Sequence, residues 1–372
     1  MQYRRFGKTD LNLSVFSLGT MRSLASAATL KAAVDAGINH VETARGYGQS
    51  EKLLGESLQT LSPAQRSDLV VTTKIPPTPD RATMAQHIAE SLARLQLKQI
   101  DCLAIHGINT PEHLSWVSDP QGCMAAVQAA QAAGQIRHVG FSTHGALEVI
   151  EGAIATNLFT FVNLHYYLFF QRHRPAIDLA RAQDMGVFII SPGDKGGQLY
   201  QPPETLRHLC DPFEPLHLSY RWLLQDRAIT TLSVGPANPA ELAYPLEVAD
   251  QTVALTPTEQ IALDRLATHA NGTLGASQCH QCYGCLPCPE DINIPEMLRL
   301  RNLAVAYDMQ DFGEYRYGMF ERAGHWFPGR RGDRCTDCGD CLPRCPSQLP
   351  IPDLLRETHQ RLKGPERRRL WG

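Results

Sequence analysis

Between Leu13 and about Asp250 the chain alternates eight short apolar, β-branched runs with helix-length segments, at 15–18, 40–43, 69–73, 102–106, 138–141, 159–162, 187–190 and 230–234. Each run with its following segment takes roughly 30 residues, the length of one βα unit. Met84, Ile88, Leu92 and Leu95 are spaced to share one helical face, and Gly37 and Gly186 stand where helices are expected to stop. An open doubly wound sheet would carry a Gly-x-Gly-x-x-Gly turn after its first strand. Here the first run leads instead into Gly19-Thr-Met-Arg-Ser, and Gly46-Tyr-Gly48 continues as Gln-Ser-Glu. Eight units without that turn predict an α/β fold, a closed (β/α)8 or TIM barrel, with its chemistry at the C-terminal ends of the strands.

A second constraint lies downstream. Eight of the 11 cysteines fall between Cys279 and Cys345, in two copies of one pattern: Cys279, Cys282, Cys285, Cys288-Pro and Cys335, Cys338, Cys341, Cys345-Pro. Each copy is followed by an Ile-Pro helix start, at Ile294 and Ile351. The first three cysteines are offset by 56 positions, the fourth and the Ile-Pro by 57, so the first copy is one residue shorter before its last cysteine. The second copy has the Cys-x2-Cys-x2-Cys-x3-Cys-Pro spacing of bacterial ferredoxins, whose fourth cysteine serves the other cluster. That rule would sort Cys279, Cys282, Cys285 and Cys345 onto one [4Fe-4S] cluster and Cys335, Cys338, Cys341 and Cys288 onto the other. The shortened first copy leaves the sorting open. Two four-cysteine zinc sites are the alternative, although zinc has no need of three evenly spaced cysteines followed by proline.

The 46 residues between the copies include a helical pattern over 295–311, too much chain for a compact hairpin ferredoxin. The segment resembles the all-helical two-cluster ferredoxin domains of respiratory iron-sulfur subunits. The expected organisation is therefore a barrel over 1–270, a Gly- and Ser-containing linker at 271–277, a mostly helical ferredoxin-like domain over 275–356, and a basic tail over 357–372 with Arg361, Lys363, Arg367, Arg368 and Arg369.

At 43% hydrophobic and 20% charged residues the 372-residue chain has a globular composition. A net charge of -3 offers no global attraction to nucleic acid or anionic membrane. The most apolar stretch, 158–170, contains Asn163 and His165 and is too short to span a bilayer, so no membrane insertion is expected. Met1 to Asp10 lacks the apolar centre of a secretory signal, so a cytoplasmic protein is expected, in which clustered cysteines point to metal.

The ends of the early strands carry a set of reactive side chains: Glu42 and Tyr47 at and after the second run, Lys74 after the third, His106 ending the fourth. A phenol is a weak acid at neutral pH. A nearby ammonium lowers its pKa, and a carboxylate holds the ammonium in place. Tyr47 would then be the general acid, Lys74 its activator, Glu42 the orienter of Lys74 and His106 a donor to a carbonyl oxygen.

With these four in place the chain resembles the aldo-keto reductases over roughly residues 3–263. The resemblance rests on Tyr3-Arg-Arg-Phe-Gly-Lys-Thr, Val41-Glu-Thr-Ala-Arg-Gly-Tyr-Gly-Gln-Ser-Glu-Lys-Leu-Leu-Gly55, Thr73-Lys74, Ile105-His106, Val139-Gly-Phe-Ser142, Asn163 and Ser191-Pro192. It implies reduction of a small carbonyl substrate with NADP or NAD as cofactor. Ser142 and Asn163 would hold the carboxamide, Ile190 would lie against the ring, and Ser191 and Gly235 would line the nucleotide. Several positions depart from the family. Its aspartate is Glu42 here, longer by one methylene; the Asn expected after Ser142 is Thr143; Ile190 replaces an aromatic; and the loop 233–239 lacks the basic residues that hold a 2′-phosphate.

Two readings of the whole follow. In the first the protein is a reductase whose two [4Fe-4S] clusters transfer electrons. In the second it is an electron-transfer or docking protein with a degenerate barrel, exchanging electrons with a ferredoxin-like carrier. A hydride moves two electrons and a cluster one, and no flavin-binding signature supplies the usual converter.

Overall fold

The computed structural model describes residues 1–22 and 26–364. By internal contacts the chain forms two units, one of Met1–Gly196 with Ser219–Ala254, the other of Gly197–Leu218 with the chain from Leu255 onward.

The first unit is a closed parallel barrel. A short antiparallel hairpin, β1 (Tyr3–Arg5) and β2 (Asn12–Ser14), precedes it. The staves follow as β3 (Phe16–Gly19), β4 (His40–Glu42), β5 (Val70–Ile75), β6 (Ile100–His106), β7 (Ile136–Ser142), β8 (Phe161–Leu164), β9 (Gly186–Ile189) and β10 (Thr231–Val234). They pair in chain order, and β10 returns to β3 to close the ring. All eight runs expected from the sequence are staves, with ends shifted by up to two residues; Lys74 lies within β5 rather than after it. The helix Arg81–Leu95 starts at the Asp80 cap and buries Met84, Ile88, Leu92 and Leu95. The hairpin, which sequence reading did not anticipate, contributes to the core through Leu13, and Phe6, just after β1, packs with Phe161 and Phe188. Room for those rings comes from two glycines. A Cβ on Gly186 would lie 2.2 Å from the Phe6 ring, and one on Gly140 would lie 2.4 Å from the ring of Phe161.

Inside the barrel runs a polar tier. Ser17 Oγ meets His40 Nδ1 at 2.6 Å and Thr231 Oγ1 at 2.7 Å, and His40 Nε2 meets Thr72 Oγ1 at 2.7 Å. Burial pushes the His40 pKa down from 6.5 to about 4, against the pull of Glu42 and with the push of Lys74. Its folded pKa lies below the unfolded one, so this contribution to stability is fully present above about pH 6.5 and is lost as the pH falls through about 4. Between pH 7 and pH 5 the wild type should lose about 2 kcal/mol more than His40→Gln, which cannot titrate. Urea unfolding of both proteins at the two pH values measures this, and parallel losses would show that His40 does not titrate there.

The second unit is helical. Its principal helices are α1 (Pro257–Leu274), α2 (Ile294–Tyr307), α3 (Gln310–Tyr317) and α4 (Ile351–Leu362). The linker expected at 271–277 is not one: α1 continues to Leu274 and a 3-10 turn covers Gly275–Ser277. Thr256 and Glu259 form a capping box with Pro257 at the first turn, and the buried positions Ala262, Leu266, Ala270 and Leu274 carry the helix past Gly272. Packing of one long face outweighs the weak helix preference of Asn271 and Gly272. Thus α1, expected to end the barrel, packs within the second unit, where the Tyr307 hydroxyl donates to the Leu266 carbonyl at 3.1 Å. The helical pattern over 295–311 divides at Asp308, a left-handed cap at φ 57°. The expected tail from 357 begins as helix, since α4 runs to Leu362; Arg367, Arg368 and Arg369 lie outside the described residues. Among the described residues no helix is long and apolar enough to cross a membrane.

Candidate functional site

The reactive set stands at the C-terminal ends of β4, β5 and β6, where a barrel's loops gather. Glu42 ends β4 and is buried at 4% exposure; Lys74, on the neighbouring β5, is buried at 1%. The Lys74 ammonium donates to Glu42 Oε2 and, at 3.0 Å, to the Thr43 carbonyl. Tyr47 follows in the loop after β4. The Lys74 ammonium lies 5.1 Å from the centre of its ring. His106, half-buried at the end of β6, meets the Tyr47 ring edge-on with centres 5.7 Å apart. Glu42, Tyr47, Lys74 and His106, distant in sequence, thus form one contact set.

The electrostatics of the set depend on its burial. Burial raises the Tyr47 phenol above its ordinary value, Lys74 pulls it down, and Glu42 pushes it up. For Lys74, burial opposes the charge, yet Glu42 and the Tyr47 oxygen outweigh it and the pKa is raised. The lysine therefore remains an ammonium, the form that assists a phenol. Ser233, which sequence reading passed over, donates to Glu42 Oε1 at 2.7 Å. Only proximity in the closed barrel reveals it, because a lone serine at the end of a strand carries no signal.

The positions expected to hold a nicotinamide continue around the same end. His106 pairs with Ser142 and Ser142 with Asn163 across neighbouring staves. Ser142 Oγ accepts from the Gly107 N–H at 3.2 Å. The Asn163 side chain is fully buried, and neither its oxygen nor its nitrogen has a hydrogen-bond partner among the described residues. Leaving a buried amide unbonded is unfavourable by about 1–3 kcal/mol, so this side chain fits a ligand amide. The residues present accordingly suit a carboxamide. Ile190 is buried, its carbonyl accepting from the Tyr167 hydroxyl at 2.7 Å, and Ser191 follows in a left-handed conformation at φ 44°. The Gly-rich segment 192–197 folds as turns, in which Gly196 passes against the Pro192 carbonyl. Gly235 follows β10 and its carbonyl accepts from Arg22 at 3.1 Å, while Glu241 Oε2 accepts from the Ala237 N–H at 2.9 Å.

In the second unit the two cysteine copies share a backbone. Gln281, Tyr283 and Asp291 have φ of 54°, 63° and 55°; the corresponding Asp337, Gly339 and Gln348 have 56°, 78° and 50°. The Asp291 N–H bonds the Cys288 carbonyl at 3.0 Å, as that of Gln348 bonds Cys345 at 3.0 Å. Left-handed residues between the first and third cysteines turn successive N–H groups to one side, forming a nest for an anion. Non-glycine residues take that conformation at some strain, and here they take it twice. None of the eight cysteines is in a disulfide. Cys285 and Cys341 are buried, while Cys282 and Cys338 are exposed. The Cys279 thiol is raised by burial and by the charges of Cys282 and Cys345; that of Cys341 is raised by burial and by Cys335, Cys338 and Cys288. Each fourth cysteine thus lies within electrostatic reach of one cysteine of the other copy, Cys345 of Cys279 and Cys288 of Cys341. Cys288, Cys335, Cys338 and Cys341 line one cavity with Leu355. Among the described residues no three His, Cys, Asp or Glu side chains converge on a single ion position. Donor type, backbone nest and the cavity that gathers Cys288 with Cys335, Cys338 and Cys341 fit cubane clusters.

Comparison with known proteins bears on both units. The sequence profile of the aldo/keto reductase family matches residues 16–266, more than half of the chain. The chain belongs to that family. A 4Fe-4S dicluster domain matches residues 278–350, so this aldo/keto reductase carries an iron-sulfur domain behind its barrel sequence. The uncharacterized oxidoreductase YqkF of Bacillus subtilis is 25% identical over 214 residues, covering 53% of this chain and 66% of its own. The 6-dehydroglucose reductase of Novosphingobium aromaticivorans is 32% identical over 161 residues, covering 38% of this chain and 51% of its own. The chain spans two thirds or less of the length of these curated relatives. Among solved structures, the aldo-keto reductase AKR11C1 of Bacillus halodurans shares the fold, with a TM-score of 0.61 at 21% identity over 71% of this chain and 96% of its own.

Proposed function

We propose that the barrel reduces a small carbonyl compound with a pyridine nucleotide and that the second unit holds two [4Fe-4S] clusters for one-electron exchange. The observation that carries the first part is the contact set of Glu42, Lys74, Tyr47 and His106 on the same barrel end as the unbonded Asn163 amide. NADH or NADPH, when bound, supplies the hydride for the carbonyl carbon. Tyr47 holds the proton that the carbonyl oxygen takes, so that an alcohol forms and the phenolate left behind faces the Lys74 ammonium. His106 donates a hydrogen bond to the same oxygen, and Glu42 keeps Lys74 in place. Ser142 and Asn163 hold the carboxamide and so orient the ring. After β10, Glu241 in the 3-10 turn Pro239–Leu242 pairs with Arg22 at 3.5 Å, so an acid suited to a ribose hydroxyl and a base suited to a 2′-phosphate stand together, and NADH and NADPH are both candidates.

For the second unit, Cys279, Cys282, Cys285 and Cys345 would hold one cluster and Cys335, Cys338, Cys341 and Cys288 the other. Exposure of Cys282 and Cys338 supports electron exchange with a ferredoxin-like carrier at the unit's surface.

Nucleotide binding tests the barrel reading. In the anaerobic protein, Asn163→Ala should weaken NADH binding at least about tenfold, the loss expected when a buried hydrogen-bonding amide is removed. Fluorescence titration measures the affinity, and unchanged binding would overturn the assignment of the carboxamide.

A further inference from the structure

The polar tier of Ser17, His40, Thr72 and Thr231 has a second tier above it. Two residues further along the same four staves stand Gly19, Glu42, Lys74 and Ser233. Side chains repeat every two residues on a strand, so each member lies over its counterpart on the same face. Glu42 is one methylene longer than an aspartate, and in a closed barrel that length needs its own volume. The volume comes from Gly19. A Cβ there would lie 2.8 Å from Ser233 Oγ and 3.3 Å from Glu42 Oε1, and Ser233, buried at 2% exposure, donates to that same oxygen at 2.7 Å. The Glu42 carboxylate is thereby divided, with Oε1 taken by Ser233 and Oε2 by Lys74.

We infer that Ser233 is a positioning residue for the barrel chemistry, and that Gly19, Glu42 and Ser233 form one matched set seating the longer acid so that a single oxygen meets Lys74. The inference rests on the reading of Tyr47 as an acid assisted by Lys74. Without the serine hydroxyl, the carboxylate is free to turn both oxygens to the ammonium. The ammonium's hold on the Tyr47 oxygen then weakens and the phenol becomes a poorer acid. Among the described residues, the charged or titratable groups bearing on Tyr47 include Lys74 and Glu42 through charge and His106 through ring contact, while His40 in the tier below acts on Glu42 and Lys74.

The test reads Tyr47 directly in the cluster-loaded protein, with no turnover required. Carbon NMR of ring-labelled tyrosine follows its titration, and Tyr47→Phe assigns the signal. Ser233→Ala should move that titration upward by about half a pH unit or more, while Ser233→Thr, which keeps the hydroxyl, should leave it in place. Gly19→Ala should move it upward too, and Glu42→Asp added to Gly19→Ala should return it towards wild type, since the shorter acid clears the new methyl. Thermal melts of Ser233→Ala and Ser233→Thr should agree. A Tyr47 titration unmoved by Ser233→Ala, in a protein where Lys74→Met does move it, overturns the inference alone. A titration that ignores Lys74→Met overturns the acid reading and the inference with it.

Discussion

Tyr47→Phe should lower kcat/KM for carbonyl reduction by about 10²- to 10⁴-fold, the usual contribution of a positioned general acid. The phenol is the group in contact with both Lys74 and His106, so removing its hydroxyl takes away the proton and leaves the surrounding set in place. Nucleotide affinity should change little, because Ser142 and Asn163 lie on other staves, β7 and β8. Loss in kcat with binding preserved is the pattern of an interaction made only in the transition state. Steady-state rates with NADH and a panel of aldehydes and ketones, alongside fluorescence titration of NADH, measure the two halves. Carbonyl reduction that survives Tyr47→Phe would show the set to be vestigial.

Anaerobically isolated protein should be brown and contain about eight irons and eight sulfides per chain, two cubanes' worth; zinc sites would give about two colourless ions. The crossed grouping proposed for the cysteines makes a sharper prediction. Cys282→Ser combined with Cys345→Ser strikes one cluster twice and should leave about four irons, whereas Cys282→Ser combined with Cys288→Ser strikes both and should leave almost none. Equal iron in the two double variants would overturn the crossing. Cys341 is buried and Cys338 exposed, so Cys341→Ser should also lower the melting temperature more than Cys338→Ser. In all of these variants the barrel set is intact, so carbonyl reduction measured per folded protein separates a cluster that takes part in turnover from one that holds the second unit together.

Two features, one local and one periodic, were legible from the residues alone. Eight βα units can be counted because each strand and helix announces itself within about a dozen residues, and the cysteine spacing names its chemistry because three ligands of a cluster lie within one loop. The reactive quartet was legible for a related reason: each member ends or follows a stave, and a parallel barrel gathers all such ends on one face. Features that depend on distance across the chain emerged only from its packing. Asn271 and Gly272 look like a linker, yet one buried face keeps α1 helical through both. The hairpin residues and Phe6 look like a polar, Gly-containing start, yet Phe6 packs against Gly186 on the far side of the sequence. Cys288 lines a cavity with Cys335, Cys338 and Cys341, a grouping that turns on how two loops about fifty residues apart fold against each other. Ser233 is the plainest case, for its partner lies 191 positions away. Closing β10 onto β3 brings Ser233 to Glu42 in the volume left by Gly19, a contact that no spacing along the chain encodes.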